Sequence, residues 1–570
     1  MKKYKDLYDV PKIANIQEMI LRSADVYNNK PALEDLRPTP ISYLSYADLL
    51  DNILRFGNAL KKMGINERTH ISIIGENRVQ WAVAYLTCMC FNYVVVPIDK
   101  NLTSGEIINI IYESDSSAVI FSDSFREIMN DSRISLKKIK HYICMDPVLE
   151  SGFYEMKKMI EGNEPFPKYL LHKINPDDLA EIIFTSGSLG RAKGVMLSQG
   201  NLAANLMDMV SMLFMYPEDK FLSVLPIHHT YECTCGLLCP LYSGSSVHFA
   251  RSLKTIVDDL LKVKATMLLG VPLLYDKMFK RISAAIKEDK VKRIIVPALK
   301  TITGLLKKTG IDLRKKVFAE MHKKFGGSVR IFIAGGAAPD PTVAKGLREF
   351  GFTFLQGYGL TETSPILALN RLNNFKDNAA GLPLPNVELL IKNPDEDGTG
   401  EILTKAPNVM LGYYKNPELT AEAFENGWFR TGDLGFIDKD GFLHIKGRAK
   451  NVIISKSGKN VFPEEIEDLL NKSEFILESV VYGAKDQKQD EIVAAQVVPD
   501  TEAFILYCEA SGIKITDEII EKVISDEIEK VNNNLASYKR ILKYSIRKNE
   551  FEKTTTQKIK RHIAAADRKI

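Results

Sequence analysis

An α/β fold is what this 570-residue sequence predicts: a large N-terminal body of α/β subdomains with a β-barrel-like subdomain, followed by a small α+β C-terminal domain. Three observations carry that reading. Over the first 180 residues, helix-like runs alternate with short β-branched runs, the pattern of βαβ units that build a parallel sheet. From Gly381 onward the texture changes to short alternating segments with a turn at Asp440-Gly441, which read as antiparallel strands and a hairpin. After Gly447 a segment of about 120 residues mixes strands with charged helices, near the modal size of a separate domain.

In chain order, YADLLDNILRFGNALKKMG has helical spacing, and HISIIG, YVVVPI and SAVIFS read as interior strands of the first region. FLSVLP, SVHFA, TMLLGV and VRIFIAGG repeat the pattern in a second α/β region. ELLIKN, GEILTKA and VMLGYY, then FIDKDGFLHIKG, form the antiparallel part, and IVAAQVV and YSIRKN are strands of the last domain. Residues 79 to 98 contain no charge and are long enough to span a bilayer. Asn92 and Pro97 interrupt them, which favours a buried helix turning into an interior parallel strand. The domain boundary falls at Gly447 to Lys450, giving an N-terminal domain of residues 1–447 and a C-terminal domain of residues 448–570.

With 45% hydrophobic and 26% charged residues the chain has ordinary globular composition. Lys and Arg total 76 against 72 Asp and Glu, and a net charge of +4 is too small to be a nucleic-acid footprint. Seven cysteines are few and odd in number, which argues against a disulfide framework and for a reducing, cytoplasmic address. The first 20 residues lack the apolar block of a secretory signal.

The strongest local signal is IIFTSGSLGRAKGVMLS at 182–198, where a β-rich run enters a loop of Gly, Ser and Thr with one Lys. Small side chains there let a polyphosphate approach bare backbone N–H groups. Neither a Walker A loop nor G-x-G-x-x-G is present, and taken alone the segment fits a flexible hairpin as well as a phosphate cradle.

Further motifs keep this loop company: LPIHHTYE at 225–232, AGGAAP at 334–339, QGYGLTE at 356–362, PNVMLGYY at 407–414 and WFRTGDLG at 428–435. GRAKNVI at 447–453, SGKNVFPEEIE at 457–467 and KTTTQKIKR at 553–561 complete the series. In that order, over nearly the whole chain, the sequence resembles the adenylate-forming (AMP-binding) synthetases, and in particular the long-chain fatty acyl-CoA synthetases. The resemblance implies ATP-dependent formation of an acyl-AMP, then transfer of the acyl group to CoA.

By that resemblance Thr185 and Glu362 hold Mg²⁺, and the loop from Thr185 through Ser186, Gly187, Ser188 and Gly190 to Lys193 grips the β- and γ-phosphates. Thr361 contacts the α-phosphate, and Lys558 reaches both the acyl carboxylate and the α-phosphate. Tyr358 offers its face to adenine, Gly335, Gly336 and Ala337 wall the base, and Gln356, Gly357 and Gly359 complete that set. Asp433 accepts from the ribose hydroxyls, supported by Arg448. The C-terminal domain is expected to be mobile about Lys450, withdrawing Lys558 and presenting Gly458 to the thioester tunnel, while His229 gates the acyl or CoA channel. Leu189 and Ala192 stand where the loop often has Thr and Pro, and Gln557 where a Gly usually precedes the lysine.

Residues 287–330 hold ten Lys and three Arg against two Asp and two Glu, a net of +9, which suggests peripheral contact with an anionic membrane at the inner face. HHTYECTCGLLC at 228–239 lacks the paired C-x₂-C spacing of a zinc site and reads as a buried helix; His228 reads as a solvated or core histidine. The implied substrates are a medium- to long-chain fatty acid, ATP and CoA, with Mg²⁺, no nucleic acid, and a homodimer left open. Alternatives are a carrier-protein phosphopantetheine as acceptor, an aromatic or steroidal acid, and a non-catalytic acyl-adenylate or fatty-acid binding protein.

Overall fold

The order of parallel strands is what sets out the site, and it follows from which apolar runs are interior. The computed structural model describes residues 7–185, 192–455, 458–485, 491–554, 559–561 and 564. They divide into two compact units, one of Met1–Glu388 with Thr404–Phe429, the other of Leu389–Leu403 with Arg430–Ile570.

The first unit holds two large sheets. One runs Gly412–Tyr413, Lys193–Ser198, Leu179–Thr185, Val94–Ile98, His70–Ile74, Ala118–Phe121, His141–Cys144, Tyr154–Glu155. Its pairs are parallel except for the Lys193–Ser198 strand, which is antiparallel to both of its neighbours. The uncharged stretch is a helix, Val79–Cys90, buried at every residue, followed by the buried strand Val94–Ile98. This is the expected helix-to-strand reading, and among the described residues no helix is long and apolar enough to cross a membrane.

The second sheet runs Leu382–Pro383, Ile366–Leu369, Thr353–Gly359, Ile331–Ala334, Met267–Gly270, Lys220–Ser223, Ser246–Phe249, Pro31–Asp35, Tyr43–Ser45. All four β-branched runs of the second region lie side by side in it, in parallel. Tyr275, Phe332 and Phe354 pack beneath them with ring centroids 5.1 to 5.5 Å apart. VMLGYY departs from the antiparallel group in which the sequence places it: Gly412–Tyr413 pairs with Val195 and Met196 of the first sheet. Two residues of strand are too short to alternate visibly, so their partner is invisible in the pattern.

In the second unit, Trp428–Ile437 and Leu443–Arg448 form the hairpin expected around Asp440-Gly441, with Gly441 at φ 88° and Asp438 Oδ1 accepting from the N–H groups of Asp440 and Phe442. Beyond it, Ile476–Lys485, Glu491–Pro499 and Lys543–Ile546 make a three-stranded sheet. Ile466, Leu470, Val481, Val493, Phe504, Ile524 and Ile528 fill its core.

After His228 and His229 the segment HHTYECTCGLLC is a buried helix, as its composition suggests, and Tyr231–Leu238 within it is a π-helix. Glu232 lies in that segment, 1% exposed, and burial pushes its carboxyl up to about 8 against the pull of the Ser223 hydroxyl and the Leu225 N–H. The unfolded chain ionises this group near its ordinary 4.5. Between those values the folded state holds more protons than the unfolded one, so this residue's contribution to stability falls as pH rises. Glu232→Gln, uncharged at every pH, should therefore melt higher than the parent at pH 8 and close to it near pH 5, by up to about 1.4 kcal/mol per pH unit of difference. Calorimetry at the two pH values checks this; an equal shift at both would contradict it.

Candidate active site

The strands on either side of residues 186–191 pair with each other residue by residue. Thr185 ends the Leu179–Thr185 strand directly across from Lys193, the first residue of Lys193–Ser198. As the sequence suggests, the run after Lys193 is a strand and not a helix. Ser186, Gly187, Ser188, Leu189 and Gly190 lie outside the described residues, as do Gln557 and Lys558.

Glu362 comes to the same place by another route. It sits in a short 3₁₀ turn, Thr361–Thr363, just beyond the strand Thr353–Gly359. Its backbone carbonyl accepts from Met410 N–H at 2.9 Å, and its Oε1 accepts from the Tyr413 hydroxyl at 3.0 Å. The Tyr413 ring in turn lies 5.1 Å from Lys193 Nζ, within cation–π range. Thr185, Lys193 and Glu362 are thus brought together, and Tyr413 links two of them. Tyr413 is the residue that sequence reasoning passed over, although PNVMLGYY was in view; the signal was a tyrosine in a motif with no role attached.

At the neighbouring edge, the register Ala334↔Gln356 carries Gly335–Ala337 and Gly357–Gly359 past the same end of two adjacent parallel strands. Ligands of open parallel sheets bind at such carboxyl ends. Gly335 is buried, and a Cβ there would stand 2.6 Å from Cζ of Tyr231. Tyr231 cannot retreat, because its hydroxyl donates to the Ile333 carbonyl at 3.1 Å. Gly336 and Ala337 are exposed, Gly336 at φ 86°, and Tyr358 is half-buried. At Gly359 a Cβ would fall 1.8 Å from the Pro365 carbonyl oxygen, so no side chain fits. Gln356 is turned to the interior: its Nε2 donates to the carbonyls of Ala379 and Asp377, fixing the loop that precedes Gly381.

His229 is half-buried, and its Nδ1 accepts from Tyr231 N–H at 3.3 Å. His228 is buried with Nε2 3.6 Å from Asp99 Oδ2, and burial lowers its pKa.

The second unit carries its own cluster. Asp433, 5% exposed, faces Arg448 across the hairpin and accepts from its Nε at 2.8 Å. Arg448 also donates to the Thr431 carbonyl, and the Thr431 hydroxyl accepts from Asp433 N–H. A fixed acidic group with a supported cation beside it can accept from a vicinal diol. Lys450 is exposed in the 3₁₀ turn Ala449–Asn451, and Gly458 is at φ 73° with open space where a Cβ would be.

The last segment is held by two carboxylates. Glu478 accepts from Phe551 N–H at 2.6 Å and pairs with Lys553 at 2.7 Å, while Arg561 pairs with the buried Glu467 and donates to the Val481 carbonyl. Burial raises the Glu467 carboxyl to about 7 despite that guanidinium. Lys553 and Ile559 form an isolated antiparallel bridge.

A family model described as AMP-binding enzyme matches residues 20–414, and another, AMP-binding enzyme C-terminal domain, matches residues 450–567. Long-chain-fatty-acid--CoA ligase 1 of Cavia porcellus is 29% identical over 553 residues, covering 89% of this chain and 77% of that protein. Long-chain-fatty-acid--CoA ligase FadD15 of Mycobacterium tuberculosis is 27% identical over 552 residues, covering 91% and 90%. Among solved structures, ATP-bound MatB from Rhodopseudomonas palustris is similar with a TM-score of 0.76 at 26% identity, covering 96% of this chain and 98% of that one. The anthranilate CoA ligase AuaEII in complex with anthranoyl-AMP reaches a TM-score of 0.78 over 98% of both chains at 20% identity, a likeness of fold.

Tyr413→Phe keeps the ring over Lys193 and removes the hydroxyl that donates to Glu362. A hydrogen bond to a charged group is worth roughly 1.5–3 kcal/mol, so Mg²⁺-dependent ATP binding should weaken about tenfold or more. Isothermal calorimetry with and without Mg²⁺ measures it; unchanged affinity would mean that the hydroxyl does not position the carboxylate.

Proposed function

For a chain that belongs to the AMP-binding enzyme family, we propose ATP-dependent activation of a medium- to long-chain fatty acid to acyl-AMP, then acyl transfer to CoA. At the coarser level the chain is an adenylate-forming acyl-CoA ligase. The meeting of Thr185, Lys193 and Glu362 around Tyr413 supports the nucleotide chemistry, and the finer reading is supported by relatives named as long-chain fatty acid ligases that align over about nine-tenths of the chain.

In the first half-reaction the acid's carboxylate oxygen bonds to the α-phosphorus of ATP and pyrophosphate leaves. An anion attacks an anion, so fixed cations and donors must offset the growing charge. Lys193 neutralises phosphate from the hairpin. A hydroxyl and a carboxylate are hard oxygen donors that suit Mg²⁺, and Thr185 and Glu362 are the residues that would hold it. The bound ion would supply charge neutralisation across the phosphates. Tyr358 with Gly335–Ala337 receives the base, Asp433 and Arg448 the ribose, and Thr361 the α-phosphate. Lys558 bridges the carboxylate and the α-phosphate as a compact charge.

In the second half-reaction the CoA thiol attacks the acyl carbonyl and AMP departs. A lysine over the α-phosphate would obstruct the pantetheine arm, so the proposal includes rotation of residues 448–570 about Lys450 between the two steps, bringing Gly458 to the thiol path. His229 gates the channel.

Pyrophosphate release across acids of graded length, with and without CoA, tests the substrate. Release that peaks at medium or long chains, with thioester formed on CoA, is the expected result. Activity confined to aromatic acids, or thioester formed only on a carrier protein, would replace this reading. Lys558→Ala should lose adenylation by at least about 10²-fold yet still convert supplied acyl-AMP to thioester. Lys450→Pro should do the reverse. Equal loss of both halves in Lys558→Ala would remove the role given to that lysine.

A further inference from the structure

The helix Lys290–Lys308 has two apolar faces. Val296 and Leu299 of one face pack on the core beneath the second sheet, beside the buried Thr303. The other face is turned to solvent: Val291 is 62% exposed, Ile294 73%, Ile295 47%, Ile302 53% and Leu305 58%. At 100° per residue these five fall in one arc about 100° wide, and the stripe runs about 20 Å along the helix axis. Isolated exposed apolar residues are ordinary, but five branched side chains in one unbroken stripe are not.

Charge selects what covers the stripe. Residues 287–330, which include the helix, carry a net of +9. Lys292 is paired with Asp289 and Lys300 with Glu349, whereas Lys290, Lys307 and Lys308 have no ion pair among the described residues. Lys290 and Lys308 fall on the flank of the arc next to Ile294, where long stems can lie along the apolar surface and raise the ammonium groups. A second copy of this chain would set one cationic face against another. An apolar stripe edged by unpaired lysines matches instead a surface that is greasy below and anionic above.

We propose that this face docks on an anionic lipid bilayer, with Val291, Ile294, Ile295, Ile302 and Leu305 at the boundary of headgroups and acyl chains and the lysines at the phosphates. The inference is independent of the acid that the enzyme activates, and its test reads lipid binding alone.

The full chain is sedimented with vesicles of phosphatidylcholine and with vesicles of phosphatidylcholine plus phosphatidylglycerol. Binding should favour the anionic vesicles and fall as salt is raised. The Ile294→Asp/Ile302→Asp double variant, changed only at exposed positions, should lose about tenfold or more in partition to anionic vesicles with its melting temperature unchanged. Lys290→Glu/Lys308→Glu should lower anionic binding and leave binding to neutral vesicles as it was. The proposal is overturned by equal binding to the two vesicle types, by no binding to either, or by an aspartate variant that binds like the parent. A lipid-free dimer in analytical ultracentrifugation that the aspartate pair abolishes would overturn it too, by assigning the face to a second copy.

Discussion

The return of a two-residue strand to the first sheet is the constraint on which the meeting of Thr185, Lys193 and Glu362 depends. Gly412–Tyr413 lies against Lys193–Ser198, held by Leu411 N–H to the Met196 carbonyl and Tyr414 N–H to the Gly194 carbonyl. So short a strand is not stable by pairing alone. Its far side is fastened to Asp115, which accepts from the Tyr414 hydroxyl at 2.9 Å and pairs with Lys415, the contact that does most to pull its pKa down to about 2. Gly194 permits the approach, since a Cβ there would already stand 3.1 Å from the Tyr414 Cβ. With both sides fixed, Tyr413 has one place for its ring, over Lys193, and one for its hydroxyl, on Glu362. Preorganised charge of this kind costs no rearrangement when substrate charge develops.

The other edge is built by exclusion of side chains. Gly335 leaves room for the Tyr231 ring and Gly359 for the Pro365 carbonyl, and in each case the neighbour is backbone or is hydrogen-bonded to backbone. The Ile333 carbonyl accepts from both Tyr231 and Tyr275, so two aromatic rings from different helices converge on the strand that ends at Ala334. The exposed Gly336 and Ala337 therefore project from a rigid support, which is what a flat ligand requires of the wall it lies on.

Much of this was legible in the sequence. The β-branched runs became strands, the uncharged stretch became a buried helix and strand, and the Asp440-Gly441 turn became a hairpin, because each depends on contacts local in sequence. The pairing of Asp433 with Arg448 is local too, closed by one hairpin. What escaped was long in range. Tyr413 reaches a carboxylate 51 residues away through a strand too short to have a period. The π-helix at Tyr231–Leu238 has no repeat that an α-helical reading would separate. The charge of residues 287–330 could be counted, but the helix Lys290–Lys308 is apolar on two sides, and only packing decides which side is inside.

The helix Lys290–Lys308 and the residues Gly335–Ala337 are joined by a short path within the first unit. The Lys290–Lys308 helix follows directly on Pro272–Glu288, which begins one residue after Val271. Val271 Cγ1 is the atom nearest to where a Cβ on Gly336 would be, and Tyr275 on the same helix donates to the Ile333 carbonyl at 3.0 Å. One helix thus links the outer helix to the support of Gly335 and Gly336. The strand that ends at Ala334 is in this way tied to the helix whose outer face is apolar.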